Sequence, residues 1–172
     1  MTRLTENFFQ QDALDCAPLL LGKKLVRYFD QNTVIHGLIT EIEVYRGEED
    51  LGCHASKGRT KRTEMLYAAG GKIYVYLIYG MYWLLNITTG PVDHPQAILI
   101  RGLSTINGPG RIGKQLALDK SFYGESIACS KRVWIEDQQN VSSENILCTP
   151  RIGIDYAKGW VHKPWRFLHI DS

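Results

Sequence analysis

A chain of 172 residues with 44% apolar side chains is long enough to bury a core without disulfide or metal staples. Its formal charge of +2 is too small to argue for a nucleic-acid partner by itself, and no run approaches the eighteen apolar residues of a membrane span. The first residues, through Glu6, lack a secretory apolar stretch, and Cys16, Cys53, Cys129 and Cys148 lack metal-ligand spacing, which reads as reduced thiols in a cytoplasmic protein with no metal and no cofactor.

Asp12 to Leu21 carries Ala13, Leu14, Ala17, Leu20 and Leu21 at helical spacing, with Gly22 to stop the helix and Pro18 in conflict with it. Lys24 to Tyr28 and Val34 to Tyr45 read as strands on either side of the polar turn Asp30-Gln31-Asn32. Glu48 to Met65 is a polar segment too long for a plain connection. Two aromatic-rich runs follow, Ile73 to Ile78 and Trp83 to Ile87, and the Tyr79-Gly80 between them marks a hairpin with an aromatic at its tip. A loop of Gly80 to Tyr82 pairs Tyr79 with Trp83 and Tyr76 with Asn86, placing a phenol ring beside an amide. Ala97 to Ile100 is a further strand, and Gly108-Pro109-Gly110 leads into a helix predicted over Arg111 to Leu118. The tail holds strands at Val133 to Ile135 and at Arg151 to Ile154, then Trp165-Arg166-Phe167. Several strands and few short helices indicate one α+β domain spanning 1–172.

Charge is unevenly spread. Through Cys53 there are nine Asp/Glu against five Lys/Arg, whereas His54 to Lys72 holds Lys57, Arg59, Lys61, Arg62 and Lys72 against Glu64 alone. Such a cluster is either a solvated loop or a phosphate-tracking one, and it stands just before the aromatic hairpin. In Glu41-Ile42-Glu43-Val44-Tyr45 the period-two alternation puts both carboxylates and the phenol on one face. That face is either a solvent-facing strand or a place where one carboxylate is set up as a general base. His54 alone fits a packed residue as well as a catalytic one, and Arg101 at the end of an apolar strand calls for a carboxylate or phosphate partner.

The ordered set Thr40-Glu41-Ile42-Glu43-Val44-Tyr45, His54 with Gly58-Arg59-Thr60, Tyr74 through Tyr82 with Asn86, Leu99-Ile100-Arg101, Gly108 to Arg111, and Arg151 to Ile154 leading to Lys163-Pro164-Trp165-Arg166-Phe167 resembles the alkyladenine (3-methyladenine) DNA glycosylase family nearly end to end. The resemblance implies a compact domain with a curved, mainly antiparallel sheet, a protruding hairpin and surrounding short helices. It implies that Tyr79 intercalates where a damaged nucleotide has flipped out, and that the flipped base stacks with Tyr45 and His54 on one side and Tyr76 on the other. Asn86 takes the position that excludes the 2-amino group of guanine. Glu43 matches the general base that deprotonates a water for attack at C1′, and Arg101 the residue that helps hold Glu43, that water and the adjacent phosphate. Arg59, Thr60 and Arg62, with Met81, Tyr82 and Arg111, are the implied backbone contacts. The implied reaction is monofunctional hydrolysis on double-stranded DNA containing damaged purines, by a monomer, in the nucleoid of a bacterium or the nucleus of a eukaryote. The alternative is a non-catalytic module binding damaged DNA or RNA, which does not require Glu43.

Overall fold

The alternating run that contains Glu41, Glu43 and Tyr45 becomes a 14-residue strand on which the rest of the sheet is assembled. The computed structural model describes residues 2–170; Met1, Asp171 and Ser172 lie outside the described residues. The strands are β1 (Lys24–Asp30), β2 (Thr33–Arg46), β3 (Ile73–Ile78), β4 (Tyr82–Thr88), β5 (Gln96–Leu103), β6 (Ile106–Asn107), β7 (Val133–Glu136), β8 (Ile146–Thr149) and β9 (Arg166–His169). Among the described residues two α-helices, α1 (Ala13–Leu20) and α2 (Pro109–Gln115), and six short 3-10 helices accompany them. The main order is β3-β4-β5-β2-β1-β7, with β6 on β5, β9 on β2 and β8 on β9. All these pairings are antiparallel, so the α+β expectation holds. Among the described residues no helix is long and apolar enough to cross a membrane.

β2 changes partner along its length. Thr33 to Leu38 pair with β1, and Ile39 to Arg46 pair with β5, while β9 docks on Glu41 to Glu43. The register slips at Glu41, which faces Gly102 while Ile42 faces Ile100. A bulge of this kind re-aims a side chain next to a site. Gly102 is what the bulge leaves room for: a Cβ there would sit 2.9 Å from Thr40 Oγ1 and 3.0 Å from Glu41 Cβ.

Helix α1 buries Ala13, Cys16, Ala17 and Leu20, a single stripe at 3.6 spacing. Asp12 caps it by accepting from Leu14 N at 3.0 Å and also pairs with Arg46 at 2.8 Å, tying the helix start to the end of β2. Pro18 stands off that stripe, and the helix runs through it for two more residues. The predicted second helix begins two residues early and ends sooner than expected, because Ala117 takes φ +48°. Arg151 to Ile154 is a loop rather than a strand, and Ile146–Thr149, with no apolar alternation to betray it, is a strand.

The main core gathers Phe9, Leu20, Ile39, Ile42, Ile73, Leu85, Ile98 and Phe122 with their neighbours, each side chain worth about 1.5–3 kcal/mol of burial. A smaller cluster of Cys53, Ala55, Leu66, Tyr67, Tyr74 and Ala97 lies apart from it, with Tyr45, Tyr76 and Tyr123 packed against its surface. That second cluster backs the functional site.

Candidate active site

The C-terminal half of β2, strands β3 to β5 and the 151–156 loop enclose a cavity of about 540 Å³. Tyr45, His54, Arg62, Tyr76, Asn86 and Arg101 all line it, and so do Tyr79 and Tyr82 of the hairpin. Arg111 lines an adjoining depression shared with Tyr82. Arg59, Thr60, Met81 and Glu43 are outside the lining.

Glu43 lies directly behind the wall, with 0% exposure. Its Oε1 accepts from Ile152 N at 2.7 Å and its Oε2 from the Tyr45 hydroxyl at 2.7 Å, with Arg101 Nη1 3.5 Å from Oε2. Each oxygen therefore has a fixed donor and keeps accepting capacity for a water. Burial first, then the charge and hydrogen bond of Glu43, hold the Tyr45 phenol well above the usual tyrosine range, so it stays a donor. Arg101 is closer to Glu41 than to Glu43: its Nε donates to Glu41 Oε1 at 3.0 Å, and Arg166 Nε donates to the same oxygen at 2.7 Å. Neighbouring carboxylates are tolerated because two guanidinium groups serve Glu41, and one of them, Arg101, also reaches Glu43 beside its two neutral donors.

The predicted hairpin register is corrected by the structure. Ile78 pairs with Tyr82, Tyr76 with Leu84, and Tyr74 with Asn86, around a loop of Tyr79, Gly80 and Met81. The shift is by two residues, so strand parity survives and Tyr76 and Asn86 still share a face, now as diagonal neighbours. Asn86 is buried, and its amide nitrogen makes one long bond, 3.5 Å to Leu84 O. Tyr74 instead receives His54: their Nδ1 and hydroxyl are 2.8 Å apart. The His54 and Tyr76 rings meet edge to face at 4.5 Å, so a flat ligand seated between those two would have to part them.

Burial, then the charges of Arg62 and Lys57, push His54 down from 6.5 to about 4. The unfolded chain takes up a proton near pH 6.5 that the folded chain refuses until about pH 4, so stability is lost as pH falls through that window. Replacing His54 with Gln should flatten the fall in chemical-denaturation stability between pH 7 and 4 by on the order of 2–3 kcal/mol relative to wild type. Parallel curves for the two proteins would contradict the assignment. Burial likewise pushes the Cys53 thiol up to about 12, which leaves it a packing group rather than a nucleophile.

At the hairpin tip Tyr79 is 84% exposed, with Met81 and Leu77 exposed beside it. Its φ is +52° and that of Gly80 is +66°. A bulky side chain in the left-handed region costs about 1–2 kcal/mol, so turn stability does not explain a tyrosine there.

The basic loop is already partly engaged. Arg59 pairs with Asp93 at 3.0 Å and lies 3.8 Å from Glu64, and Thr60 is bonded to Thr63, whose hydroxyl donates to Gly58 O at 3.0 Å. Arg62 instead stands over Tyr76 at 5.9 Å, at the rim of the cavity.

Two contributors escaped sequence reasoning, the Ile152 amide and the Asp50–Arg151 pair behind Tyr45, whereas the carboxylate partner expected for Arg101 is found in Glu41. An Asp and an Arg 101 residues apart and a backbone N–H give no local pattern. The only available hint was an arginine beginning a short apolar run.

Comparison with known proteins gives a consistent result. A family model described as methylpurine-DNA glycosylase (MPG) matches residues 7–107 and 103–172. A protein of Natranaerobius thermophilus is 37% identical over 192 residues, covering 99% of this chain and 96% of its own length. One of Ehrlichia chaffeensis is 39% identical over 177 residues (98% and 93%), and one of Borrelia garinii subsp. bavariensis 38% over 178 residues (96% and 95%). Each carries the name "Putative 3-methyladenine DNA glycosylase".

Proposed function

The chain belongs to the methylpurine-DNA glycosylase family, and from that membership we propose that it flips alkylated or deaminated purines out of duplex DNA and hydrolyses their N-glycosidic bond, with Glu43 as general base. It is a DNA glycosylase of base-excision repair. The observation that carries the assignment of Glu43 is a fully buried carboxylate, held by one fixed donor at each oxygen, directly behind an aromatic cavity of purine-binding size.

The chemistry follows from that arrangement. Tyr45, His54 and Tyr76 offer ring faces and edges to the flipped base. A cationic alkylated purine gains about 0.5–2 kcal/mol from such rings over a neutral one. His54, neutral above about pH 4, adds no charge to repel it. Glu43 takes the proton of a water attacking C1′, and its negative charge steadies the developing oxocarbenium ion. Arg101, already between Glu41 and Glu43, is placed to steady the water and the neighbouring phosphate. The buried Asn86 amide screens the purine edge, where an exocyclic group it cannot accommodate is rejected.

No lysine lines the cavity among the described residues, which supports hydrolysis without a Schiff base. Phosphate contacts from Arg62 and Arg111, with Arg59 after release from Asp93, would position the duplex rather than read it, as would Thr60, Met81 and Tyr82. The protein acts as a monomer in this reading. The test is a duplex oligonucleotide bearing one ethenoadenine or hypoxanthine. Free base should be released and the strand should stay intact until alkali is added. Tight binding with no release from any lesion would instead make the protein a non-catalytic damage binder.

Tyr79 separates stability from function. Asn tolerates positive φ, so Tyr79→Asn should raise fold stability by up to about 1 kcal/mol while weakening lesion-DNA binding by roughly 1–3 kcal/mol. A variant that binds lesion DNA as wild type does would remove Tyr79 from the interface.

A further inference from the structure

Resting on Glu43 as the base, we infer that the buried Asp50–Arg151 pair is the device that positions the catalytic carboxylate. Both side chains have 0% exposure. Arg151 grips Asp50 fork on fork, Nη1 to Oδ2 at 2.6 Å and Nη2 to Oδ1 at 2.8 Å, and Nη1 also donates to Val44 O at 2.9 Å. Val44 is the β2 residue between Glu43 and Tyr45. Asp50 in turn accepts from Arg46 N at 3.1 Å and Gly52 N at 2.9 Å, so the pair stitches the exit of β2 to the 151–156 loop. Gly52 leaves just enough space, since a Cβ there would lie 3.1 Å from Arg151 Nη2.

Both donors to Glu43 descend from Arg151. The peptide that follows it supplies Ile152 N to Oε1. Its guanidinium carbon lies 4.8 Å from the centroid of the Tyr45 ring, with Trp165 at 5.1 Å, and Tyr45 supplies the hydroxyl to Oε2. One donor is set through the chain and the other through a stacked ring. Tyr45 and Ile152 also line the cavity, whereas Glu43 does not, so the same pair holds the wall between carboxylate and ligand. A carboxylate bound at both oxygens cannot rotate, and its remaining lone pairs keep one direction.

Fold stability alone is a poor explanation for the pair. Buried ion pairs are often replaceable by apolar residues without loss, because desolvation offsets the attraction. What an apolar pair lacks is the planar bidentate geometry, and lysine lacks it too. Neither Asp50 nor Arg151 touches the base in this scheme; they act through Tyr45 and Ile152.

The experiment is single-turnover base release from a hypoxanthine duplex, with the Kd for that duplex measured alongside, and wild type, Arg151→Lys and Glu43→Gln compared. Besides Tyr45 on its own strand, the titratable and charged groups around Glu43 include Arg101 on β5, Arg166 opposite Glu43 on β9, Tyr76 on β3 and Glu41 between the two arginines, none of which the Arg151 substitution removes. Arg151→Lys should be about 10- to 100-fold slower, as expected for a misaligned catalytic group. The loss should fall on the chemical step, with its Kd for the duplex close to wild type. An unchanged rate overturns the proposal, and so does a reduced amplitude at the wild-type rate or a rate loss matched by weaker duplex binding. Should Arg151→Lys not fold, Asp50→Asn/Arg151→Gln, which leaves no unpaired charge, takes its place. Collapse of both assigns the pair to the fold and overturns the positioning role. Full activity of Glu43→Gln would instead sink the assignment of the base itself, whatever Arg151 does.

Discussion

Glu43→Gln should slow base release by about 10²–10⁴-fold, the usual contribution of a positioned general base. The substitution is nearly isosteric and its environment can accept it. The amide oxygen can receive Ile152 N, and the amide nitrogen can donate to the Tyr45 oxygen, whose own hydrogen then turns elsewhere. Arg101 keeps its closer partner, Glu41. The variant should therefore fold, melt no lower than wild type, and bind a lesion duplex with nearly unchanged Kd. Single-turnover kinetics with enzyme in excess isolate the chemical step from product release. A rate close to wild type would show that the water is activated elsewhere.

Gly113→Ala should be severely damaging for so conservative a change. A Cβ at Gly113 would stand 1.8 Å from Trp83 O and 3.0 Å from Trp83 C. The obstacle is the backbone of a central strand, not the end of a flexible side chain, so helix α2 has to lift off β4. The cost should reach about 3 kcal/mol, the upper end for overpacking, which lowers Tm by roughly 6–12 °C for a chain of this size. Function should suffer too, because the same helix seats Gly110 against Tyr82, where a Cβ would lie 3.1 Å from the ring. Gly80→Ala is the control: nothing lies within 4 Å of its Cβ, and only its φ of +66° opposes the change, at about 1 kcal/mol. Equal melting temperatures for the two variants would contradict the packing argument.

The chemistry of the site was more legible in the sequence than its mechanics. Strand parity put Glu43 and Tyr45 on one side, and the structure joins them at 2.7 Å. The hairpin was recognisable from its aromatic runs, but its register was not. A loop starting at Gly80 assumes that the first positive φ belongs to glycine, whereas the turn begins one residue earlier on Tyr79. Because the resulting shift is even, the faces were right although the partners were wrong. The bulge at Glu41 depends on the close approach of Gly102, and the hold on Glu43 depends on a backbone amide 109 residues away. Neither leaves a periodic trace. The Arg59 pairing with Asp93 was similarly hidden, since a charge count over His54 to Lys72 does not extend to the turn that neutralises it.

The most direct test of the account is to incubate methylated duplex DNA with the protein and identify the released bases by mass spectrometry. Free 3-methyladenine should appear with wild type and remain near background with Glu43→Gln under the same conditions. Methylated DNA that is bound but yields no free base, or equal release by the two proteins, would contradict it.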